Sequence, residues 1–312
     1  MGVTFFSGAD VRRAVSPREA FDAVRAAFVH HARGDWTMQP KLYVTNYPAG
    51  DFRAMPALGG GHALLKWVTS FPGNAARGLP TVTGVVLLSD ADTGELLALL
   101  DAAAVTALRT AAAGVIAAET LSRPDASSVA VVGSGVNGAE TVAMFRERNR
   151  HVAVWDLDAA RAAAVAEQFG AVVAASLEDA LASDVVVTVT PGRAVLFSEG
   201  SLSPGQHVSL MGADGPGKAE IAVAELARAR VFCDDWEQAS HGGELAAAFD
   251  AGLIGRVGVT QLGDVLAGQA PGRTSAGDIT LFDSTGLAIQ DLAIAKAAFA
   301  KRDELDLPRL DL

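Results

Sequence analysis

The chain has 312 residues and a mass of 32.0 kDa, which is the length of about two ordinary domains. Half of its residues (50%) are hydrophobic and 20% are charged, so the composition excludes a disordered chain. The formal net charge of −11 argues against nucleic acid and anionic membranes as partners. The single cysteine, Cys233, excludes an internal disulfide and is typical of a reducing compartment.

Targeting and membrane signals are not expected in this sequence. The first residues lack a basic segment followed by an apolar stretch and a cleavage site. Phe6 stands where a myristoylation signal requires Ser or Thr. The most apolar stretch, 110–118, is bounded by Arg109 and Glu119, and is shorter than the roughly 18 uncharged residues of a membrane span. We therefore expect a soluble, cytoplasmic protein.

The first predicted element is a helix. Ser16 and Glu19 have the spacing of a capping box, and Pro17 takes the first helical position, where its missing N–H costs nothing. Apolar side chains then recur at helical spacing, and Gly34 offers an end to the helix.

Strands are predicted next, because short apolar runs alternate with turns. The turn at 90–94 predicts a hairpin between the last two strands. Asp101 is the expected N-cap of an alanine-rich helix that ends near Leu121. The turn at 123–125 is the candidate domain boundary. The strands predicted in this part are 41–47, 63–70, 81–89 and 96–100.

From about residue 128 the chain alternates between short valine-rich runs and helices. Continuous apolar runs of this kind are typical of strands buried on both faces of a parallel sheet. Helices fit 139–148, 159–169 and 219–229, and a later apolar helix fits 286–299. The predicted strands are 129–132, 152–155, 172–173, 185–189, 208–211, 231–233 and 278–282.

A glycine-rich loop follows the first of these strands. In the G-x-G-x-x-G pattern, Gly133 permits a tight turn, Gly135 lets the backbone approach a pyrophosphate, and Gly138 lets the helix pack on the strand. Asp156 ends the second strand, where an acid bonds the ribose hydroxyls of adenosine and repels a 2′-phosphate. The pattern therefore predicts NAD rather than NADP. The alternative is a turn of an α/β fold that binds nothing.

Three cations stand in apolar surroundings: Arg53, Lys66 and Arg109. A buried charge is costly unless it is paired, and each of them taken singly is more often a salt-bridged or solvated charge. Together they could bind a substrate carboxylate, for which arginine offers bidentate donors. Asp214 follows a predicted strand, at the edge where open α/β sheets bind ligands. An ordinary turn aspartate is the alternative for this residue.

Other kinds of site are not expected. The six histidines show no metal-ligand spacing, so we expect no metal. Cys233 lies in an apolar strand, which favours core packing over nucleophilic catalysis. The G-x-S-x-G sequence of serine hydrolases does not occur.

Further short motifs are spread over nearly the whole chain. Together and in this order, they resemble the ornithine cyclodeaminase/mu-crystallin family, which includes archaeal-type alanine dehydrogenases, ketimine reductases and lysine cyclodeaminases. The motifs are Lys66 with 71–74, then 78–81, 92–95, 106–112, the glycine-rich loop, 212–218, 243–245 and 277–291.

The resemblance implies an organisation in which the C-terminal helix returns to the first domain. The expected fold is α/β, with a Rossmann doubly wound parallel sheet at 124–286 that binds NAD. A discontinuous α/β domain for substrate binding and dimerisation is expected from 1–123 and 287–312. A homodimer is implied, with the first domain forming the subunit interface and part of the substrate site.

The resemblance also implies roles for single residues. Arg53, Lys66 and Arg109 resemble the ligands of the substrate carboxylate, and Asp214 resembles the acid/base residue. Lys66 is counted with Asp214 as catalytic. The expected cofactor contacts are Thr110, Gly133, Ser134, Gly135, Val136, Asn137, Gly138, Asp156, Thr190, Lys218 and Ser284.

Two short stretches depart from the family's pattern or distinguish its branches. Asn137 and Gly138 replace the usual Gln-Ala, and this change completes the general dinucleotide motif. Asp214 lies between alanine and glycine, which resembles the dehydrogenases and reductases more than the Gly-Asp-Cys-Pro of cyclodeaminases. We therefore expect an NAD-dependent oxidoreductase, similar to alanine dehydrogenase or ketimine reductase. It would move a hydride between nicotinamide and the Cα of a small amino or imino acid. The alternatives are an ornithine or lysine cyclodeaminase, which releases ammonia without net NADH, and a non-catalytic crystallin-like binding protein.

Overall fold

The computed structural model describes residues 2–213, 215 and 217–311. The chain divides into two compact units. The first unit is Met1–Arg109 with Leu287–Leu312, and the second is Thr110–Gly286. The boundary between the two units therefore lies inside the alanine-rich helix, between Arg109 and Thr110. The sequence predicts this boundary later, at the turn at 123–125.

The first unit begins with strand β1 (Val3–Phe6) and two capped helices, α1 (Gly8–Ala14) and α2 (Pro17–Ala32). In α2 the hydroxyl of Ser16 accepts from the backbone of Glu19, whose carboxylate accepts from the Ser16 backbone in return. The predicted capping box is confirmed. Helix α1 has the same device but is short, and its sequence did not reveal it.

A mixed sheet forms the rest of this stretch, and its consecutive strands from β4 to β7 pair antiparallel. The predicted hairpin at 90–94 is confirmed. Strand β4 was missed, because Pro56 and terminal glycines interrupt its apolar alternation. Strand β1 pairs parallel with β7. The strands are β2 Thr37–Met38, β3 Leu42–Asn46, β4 Gly50–Gly59, β5 His62–Ser70, β6 Val82–Asp90 and β7 Leu96–Asp101.

The register of this sheet places one charged side chain in an apolar row. Met55 of β4 lies opposite Lys66 of β5, which lies opposite Val86 of β6, and Val86 lies opposite Leu100 of β7. All four side chains are buried. Directly opposed residues share a face of the sheet, so the ammonium group of Lys66 points into the core.

Helix α3 (Ala102–Leu121) follows β7 directly. The carboxylate of Asp101 accepts a hydrogen bond from a backbone N–H of its first turn, at 2.7 Å, which confirms the predicted N-cap. This helix is long and apolar enough to cross a membrane, but 78% of its most apolar window is buried inside the structure. Such burial is typical of the core helix of a soluble protein.

The second half of α3 belongs to the second unit. A Cβ placed on Gly114 would lie 3.2 Å from Val187, which shows how closely the helix lies on the sheet. The hydroxyl of Ser209 donates to the Gly114 carbonyl at 3.1 Å. These contacts explain why the boundary falls at Arg109 rather than after the helix.

The second unit contains an eight-stranded sheet in the order β10-β9-β8-β11-β12-β15-β13-β14, with every pair parallel. The predicted parallel sheet is confirmed. The strand order reverses between β8 and β11, and the crevice at such a reversal is where doubly wound sheets bind ligands. The strands are β8 Val129–Val132, β9 Ala153–Trp155, β10 Val172–Val173, β11 Val185–Thr188, β12 His207–Leu210, β13 Arg230–Cys233, β14 Val259–Gln261 and β15 Thr280–Asp283.

One helix prediction in this unit is wrong. The helix expected at 219–229 is reduced to a single turn, because Glu220 and Ile221 are extended and bridge to the chain near Phe197. Strand β14, helix α6 and helices α8 to α10 were not predicted. The helices are α4 Val136–Glu147, α5 Ala159–Phe169, α6 Leu177–Leu181, α7 Val223–Leu226, α8 Trp236–Gly242, α9 Leu245–Asp250 and α10 Leu262–Leu266.

The chain then returns to the first unit. Helix α11 (Ala288–Ala300), predicted at 286–299, packs on α2 and on strands β4, β5 and β6. Strand β16 (Arg309–Leu310) pairs antiparallel with β1. The face of the sheet that carries Lys66 is therefore covered by an element from the other end of the chain.

Candidate active site

The glycine-rich loop connects β8 to α4 in the second unit. Gly133 has a φ of +106°, and a Cβ there would lie 2.9 Å from the Val189 carbonyl oxygen. A Cβ on Gly138 would lie 1.8 Å from the carbonyl oxygen of Gly133. Only glycine fits these two positions, so the turn and the close helix packing that the motif predicts are both present.

Asp156 lies against this loop. Its carboxylate accepts from the backbone N–H of Ser134 at 2.6 Å and from that of Asp158 at 2.8 Å. Asp158 in turn caps α5. The structure thus brings the expected ribose-binding acid to the glycine-rich loop, 22 positions away in sequence from Ser134.

The residues around the loop fit a dinucleotide. The hydroxyl oxygens of Thr110 and Ser134 are buried and have no hydrogen-bond partner within the described part of the chain. Helix α4 begins at Val136 after Gly135, its N-cap residue, and has no side-chain cap, so the backbone N–H groups of its first turn can bind an anion. Buried hydroxyls usually have partners, and a bound phosphate or ribose would supply them.

Two other expected cofactor contacts, Thr190 and Ser284, have hydrogen-bond partners within the protein. Thr190 donates its hydroxyl to Glu220, and Ser284 donates to Asp234 at 3.1 Å. Their side chains are therefore already held by buried carboxylates. Lys218 is half-buried in the loop after β12. Asp214, the expected acid/base residue, lies outside the described residues, and its role stays a prediction.

Sequence reasoning missed a set of buried carboxylates in the same unit, here called the acid cluster (Glu220, Glu244 and Asp283). Glu220 accepts from the backbone N–H of Gly212 at 3.0 Å, and Glu244 accepts from the backbone N–H of Glu220 at 2.8 Å. Asp283 accepts from the backbone N–H of Leu245 at 3.2 Å. Each carboxylate thus holds one segment of the chain by a hydrogen bond, near the carboxyl ends of the strands.

Burial changes the protonation of the acid cluster. Desolvation, followed by the charges of Asp283 and Glu220, raises the pKa of Glu244 to about 9. Desolvation, with the charge of Asp234 next, also raises the pKa of Asp283 well above its usual value. The Glu244 carboxyl therefore holds its proton at neutral pH.

In the first unit, the Lys66 side chain is 1% exposed. Its Nζ lies 2.7 Å from Oδ2 of Asp291, at the start of α11, and donates to the Thr106 hydroxyl at 3.3 Å. Desolvation lowers the pKa of Lys66 to about 8, although the Asp291 charge opposes this shift. Lys66 is thus a buried ammonium group that remains protonated at neutral pH.

Arg109 belongs to the same group of side chains. Its Nε lies 3.5 Å from Oδ1 of Asp291, and its Nη1 donates to Oε1 of Gln290 at 3.5 Å. The structure therefore brings together two of the three predicted cations around one carboxylate. Sequence reasoning placed Gln290 and Asp291 in a family motif but gave them no role.

Arg53 lies on the same sheet face, one register step diagonally from Lys66. Its Nε and Nη2 donate to the two carboxylate oxygens of Asp51 at 2.6 and 3.3 Å, and its guanidinium stacks on the Tyr43 ring. The sequence held a signal for this pair, because residues two apart on a strand share a face. Arg53 therefore shares a sheet face with Lys66 and is paired with Asp51.

The sequence of this chain is similar to the sequences of known proteins. The family model described as the ornithine cyclodeaminase/mu-crystallin family matches residues 4–304. The chain belongs to this family. The predicted resemblance is confirmed.

Several family members are similar to the chain over most of their length. The alanine dehydrogenase of Archaeoglobus fulgidus is 41% identical over 93% of this chain and 92% of its own. The iminosuccinate reductase of Paracoccus denitrificans is 34% identical over 91% of both chains. An ornithine cyclodeaminase of Agrobacterium tumefaciens is 31% identical over 84% of this chain and 76% of its own.

A solved structure of an archaeal alanine dehydrogenase dimer with bound NAD superimposes on the chain with a TM-score of 0.94. It is 38% identical and covers 100% of both chains. This chain therefore has the same fold, with a parallel Rossmann sheet, as a relative that binds NAD.

Substitutions at two glycines of the loop are expected to affect cofactor binding and folding separately. A Cβ on Gly135 meets nothing within 4 Å in the protein. We expect Gly135→Ala to leave the unfolding free energy unchanged and to weaken NAD binding, because the Cβ occupies the approach of the pyrophosphate. Gly138→Ala should lower the unfolding free energy by roughly 2 kcal/mol or more, because its Cβ clashes with backbone.

The measurements for this pair are urea unfolding and NAD titration by protein fluorescence. Normal NAD affinity in the folded Gly135→Ala variant would show that the loop does not contact the cofactor.

The acid cluster generates a second prediction. Because the folded state raises the pKa of Glu244 from 4.5 to about 9, the folded protein binds this proton more tightly than the unfolded chain does. The group therefore lowers stability progressively as the pH rises from about 4.5 to about 9. Glu244→Gln mimics the protonated form and should remove this loss. The stability difference between the variant and the native protein should grow by about 1 kcal/mol per pH unit.

Urea unfolding at pH 6, 7.5 and 9 measures this difference. Glu167→Gln is the matched control, since Glu167 is exposed on α5 of the same unit, and its effect should not vary with pH. A pH-independent effect of Glu244→Gln would contradict the protonation of this carboxyl.

Proposed function

We propose that this chain is an NAD-dependent oxidoreductase acting on a small α-amino acid or the corresponding imino acid. Hydride leaves the substrate Cα for the nicotinamide ring, which leaves an imine, and water converts the imine to a 2-oxo acid and ammonia. The reverse direction reduces the imine. We assign substrate binding to the first unit and NAD binding to the second.

The observation that carries this proposal is a pair of cations, the buried Lys66 and the partly buried Arg109. They face a single carboxylate, Asp291, so the three side chains together carry one positive charge in excess. An uncompensated buried charge is costly in a resting protein. A substrate carboxylate neutralises it, and a 2-amino or 2-oxo acid brings this group next to the reacting carbon.

Arg53 has a separate part in this assignment. Its guanidinium is held by both oxygens of Asp51, which fixes its plane before substrate binds. An arginine ordered in this way presents a guanidinium plane of fixed orientation at low entropic cost. We assign it, with Lys66 and Arg109, to the substrate carboxylate.

The cofactor is assigned as NAD. The unpartnered hydroxyls of Thr110 and Ser134 and the uncapped start of α4 support phosphate and ribose binding. The carboxylate of Asp156 beside the loop supports NAD over NADP, because it repels a 2′-phosphate. Bound NAD supplies the hydride acceptor, and the protein's residues bind, orient and exchange protons with the substrate.

Proton transfer is assigned to Asp214, with Lys66 as the second catalytic residue. Asp214 accepts a proton from the substrate amine and activates the water that hydrolyses the imine. The family resemblance supports this role. The position of Lys66, buried with a pKa of about 8, supports its function as a charged ligand close to the reacting group.

A homodimer is also proposed. The sheet face opposite Lys66 carries partly exposed apolar side chains on neighbouring strands, including Phe52, Leu65, Trp67, Val85 and Leu87. A contiguous apolar face of this kind is typical of a subunit interface. The dimeric alanine dehydrogenase of the same fold supports it. The free, buried Cys233 is compatible with the cytoplasm, where we place the protein.

Turnover with a panel of substrates tests the function. With enzyme and NAD, the absorbance of NADH should rise with one member of a panel that contains alanine, ornithine, lysine and proline. NADP should support this reaction poorly. Ammonia is assayed in parallel, and reduction is followed as NADH loss with pyruvate and ammonium.

The two signals distinguish the candidate functions. Ammonia released without net NADH would establish a cyclodeaminase, the activity of the relative from Agrobacterium tumefaciens. Silence in both oxidation and reduction would favour a non-catalytic binding protein.

Replacing Asp214 tests the proton transfer. We expect Asp214→Asn to lower kcat roughly 100-fold or more, because general acid–base catalysis contributes about that much. NAD affinity should not change. Asp158→Asn is the control, since the side chain of Asp158 caps α5 and has no assigned part in proton transfer. Turnover near that of the native enzyme in Asp214→Asn would overturn the assignment.

A further inference from the structure

Asp291 has no assigned part in substrate binding, NAD binding or proton transfer. It lies in the first turn of α11, and its side chain is 0% exposed. One of its oxygens lies 2.7 Å from the Lys66 ammonium group, and the other lies 3.5 Å from Nε of Arg109. A fully buried carboxylate therefore joins a strand, α3 and α11 at the cations that the proposed function gives to the substrate.

Without Asp291 these cations would oppose each other. The charge of Arg109 and that of Lys41 both lower the pKa of Lys66, in the direction of losing its proton. The side chains that accept hydrogen bonds from Lys66 and Arg109, Thr106 and Gln290, are neutral. Asp291 is the carboxylate that opposes desolvation and repulsion at this site.

The contacts of Asp291 leave donors for a ligand. An ammonium group has three N–H donors and a guanidinium has five. Within the described part of the chain, Lys66 uses two of its donors on Asp291 and Thr106. Arg109 contacts Asp291 and Gln290, both at the long distance of 3.5 Å. Both cations are thus oriented by the protein and still able to donate.

We propose that Asp291 is a positioning residue for the reaction: it keeps Lys66 charged and holds Lys66 and Arg109 at one spacing, ready for the substrate carboxylate. This proposal rests on the proposed function. Asp291 does not touch the substrate; it acts through the two cations. Its removal should therefore change the pH at which the enzyme binds carboxylate substrates.

The first experiment compares Asp291→Asn with Thr106→Val. The alkaline limb of kcat/KM in the reductive direction reports the free enzyme, and it should fall near pH 8 in the native protein, where Lys66 loses its proton. In Asp291→Asn this limb should move down by about 1–2 pH units, and kcat/KM at pH 7 should drop about 100-fold. Thr106→Val removes the neutral partner of Lys66 and should leave the limb in place.

Asp291→Glu tests rescue, because it keeps the charge. Its alkaline limb should stay within about 0.5 pH units of the native one if charge decides the effect. NAD affinity should be the same in all variants. A lower activity of Asp291→Asn with an unshifted limb would mean a merely structural role and would overturn the proposal.

The second experiment needs no turnover. In Asp291→Asn the folded pKa of Lys66 falls further, so the unfolded chain binds the proton more tightly. The destabilisation of this variant should therefore be largest near pH 6 and shrink as the pH rises towards 9. Adding Lys66→Met removes the stranded ammonium group and should restore stability at pH 6.

The two experiments separate the possible failures. A native protein that turns over no amino or imino acid contradicts the proposed function, whereas the unfolding data still show whether Asp291 holds Lys66 charged. No restoration by Lys66→Met at pH 6 would overturn the coupling itself.

Discussion

The ion pair between Lys66 and Asp291 is the interaction on which the first unit depends. Lys66 stands in a row of apolar side chains that crosses four strands, where an unpaired ammonium group would be prohibitively costly. Its carboxylate partner comes from α11, at the other end of the chain. The return of the C-terminal helix therefore closes the core and neutralises the charge at once, and it explains why this unit is discontinuous.

The second unit obeys a different constraint. Its strands are buried on both faces, so polar groups gather where the strands end. There the acid cluster accepts hydrogen bonds from backbone N–H groups of two loop residues, Gly212 and Glu220, and of Leu245 at the start of α9. Burial, and after it the charges of neighbouring carboxylates, raises the pKa of Glu244 and Asp283. Buried carboxylates of the acid cluster thus hold the chain near the dinucleotide motif through hydrogen bonds to its backbone.

Sequence patterns were sufficient where local physics decides the structure. The serine cap of α2, the hairpin at 90–94 and the valine-rich strands were predicted from neighbouring residues alone, and all are present. The patterns failed where distant pairing overrides local preference. Strand β4 forms despite Pro56 because it pairs on both sides, and the helix expected at 219–229 gives way to an extended bridge with Phe197.

The candidate site divides in the same way. The sequence by itself determined the family, the glycine-rich loop with its acid, and the three cations, because each is a residue type at a fixed spacing along the chain. Only the tertiary structure decided which charges are paired. Asp51 holds Arg53 from two residues away on β4, a spacing that the sequence shows, whereas Asp291 reaches Lys66 from α11. Pairing depends on distance in space, and the interval between Lys66 and Asp291 in sequence carries no local signal of their contact.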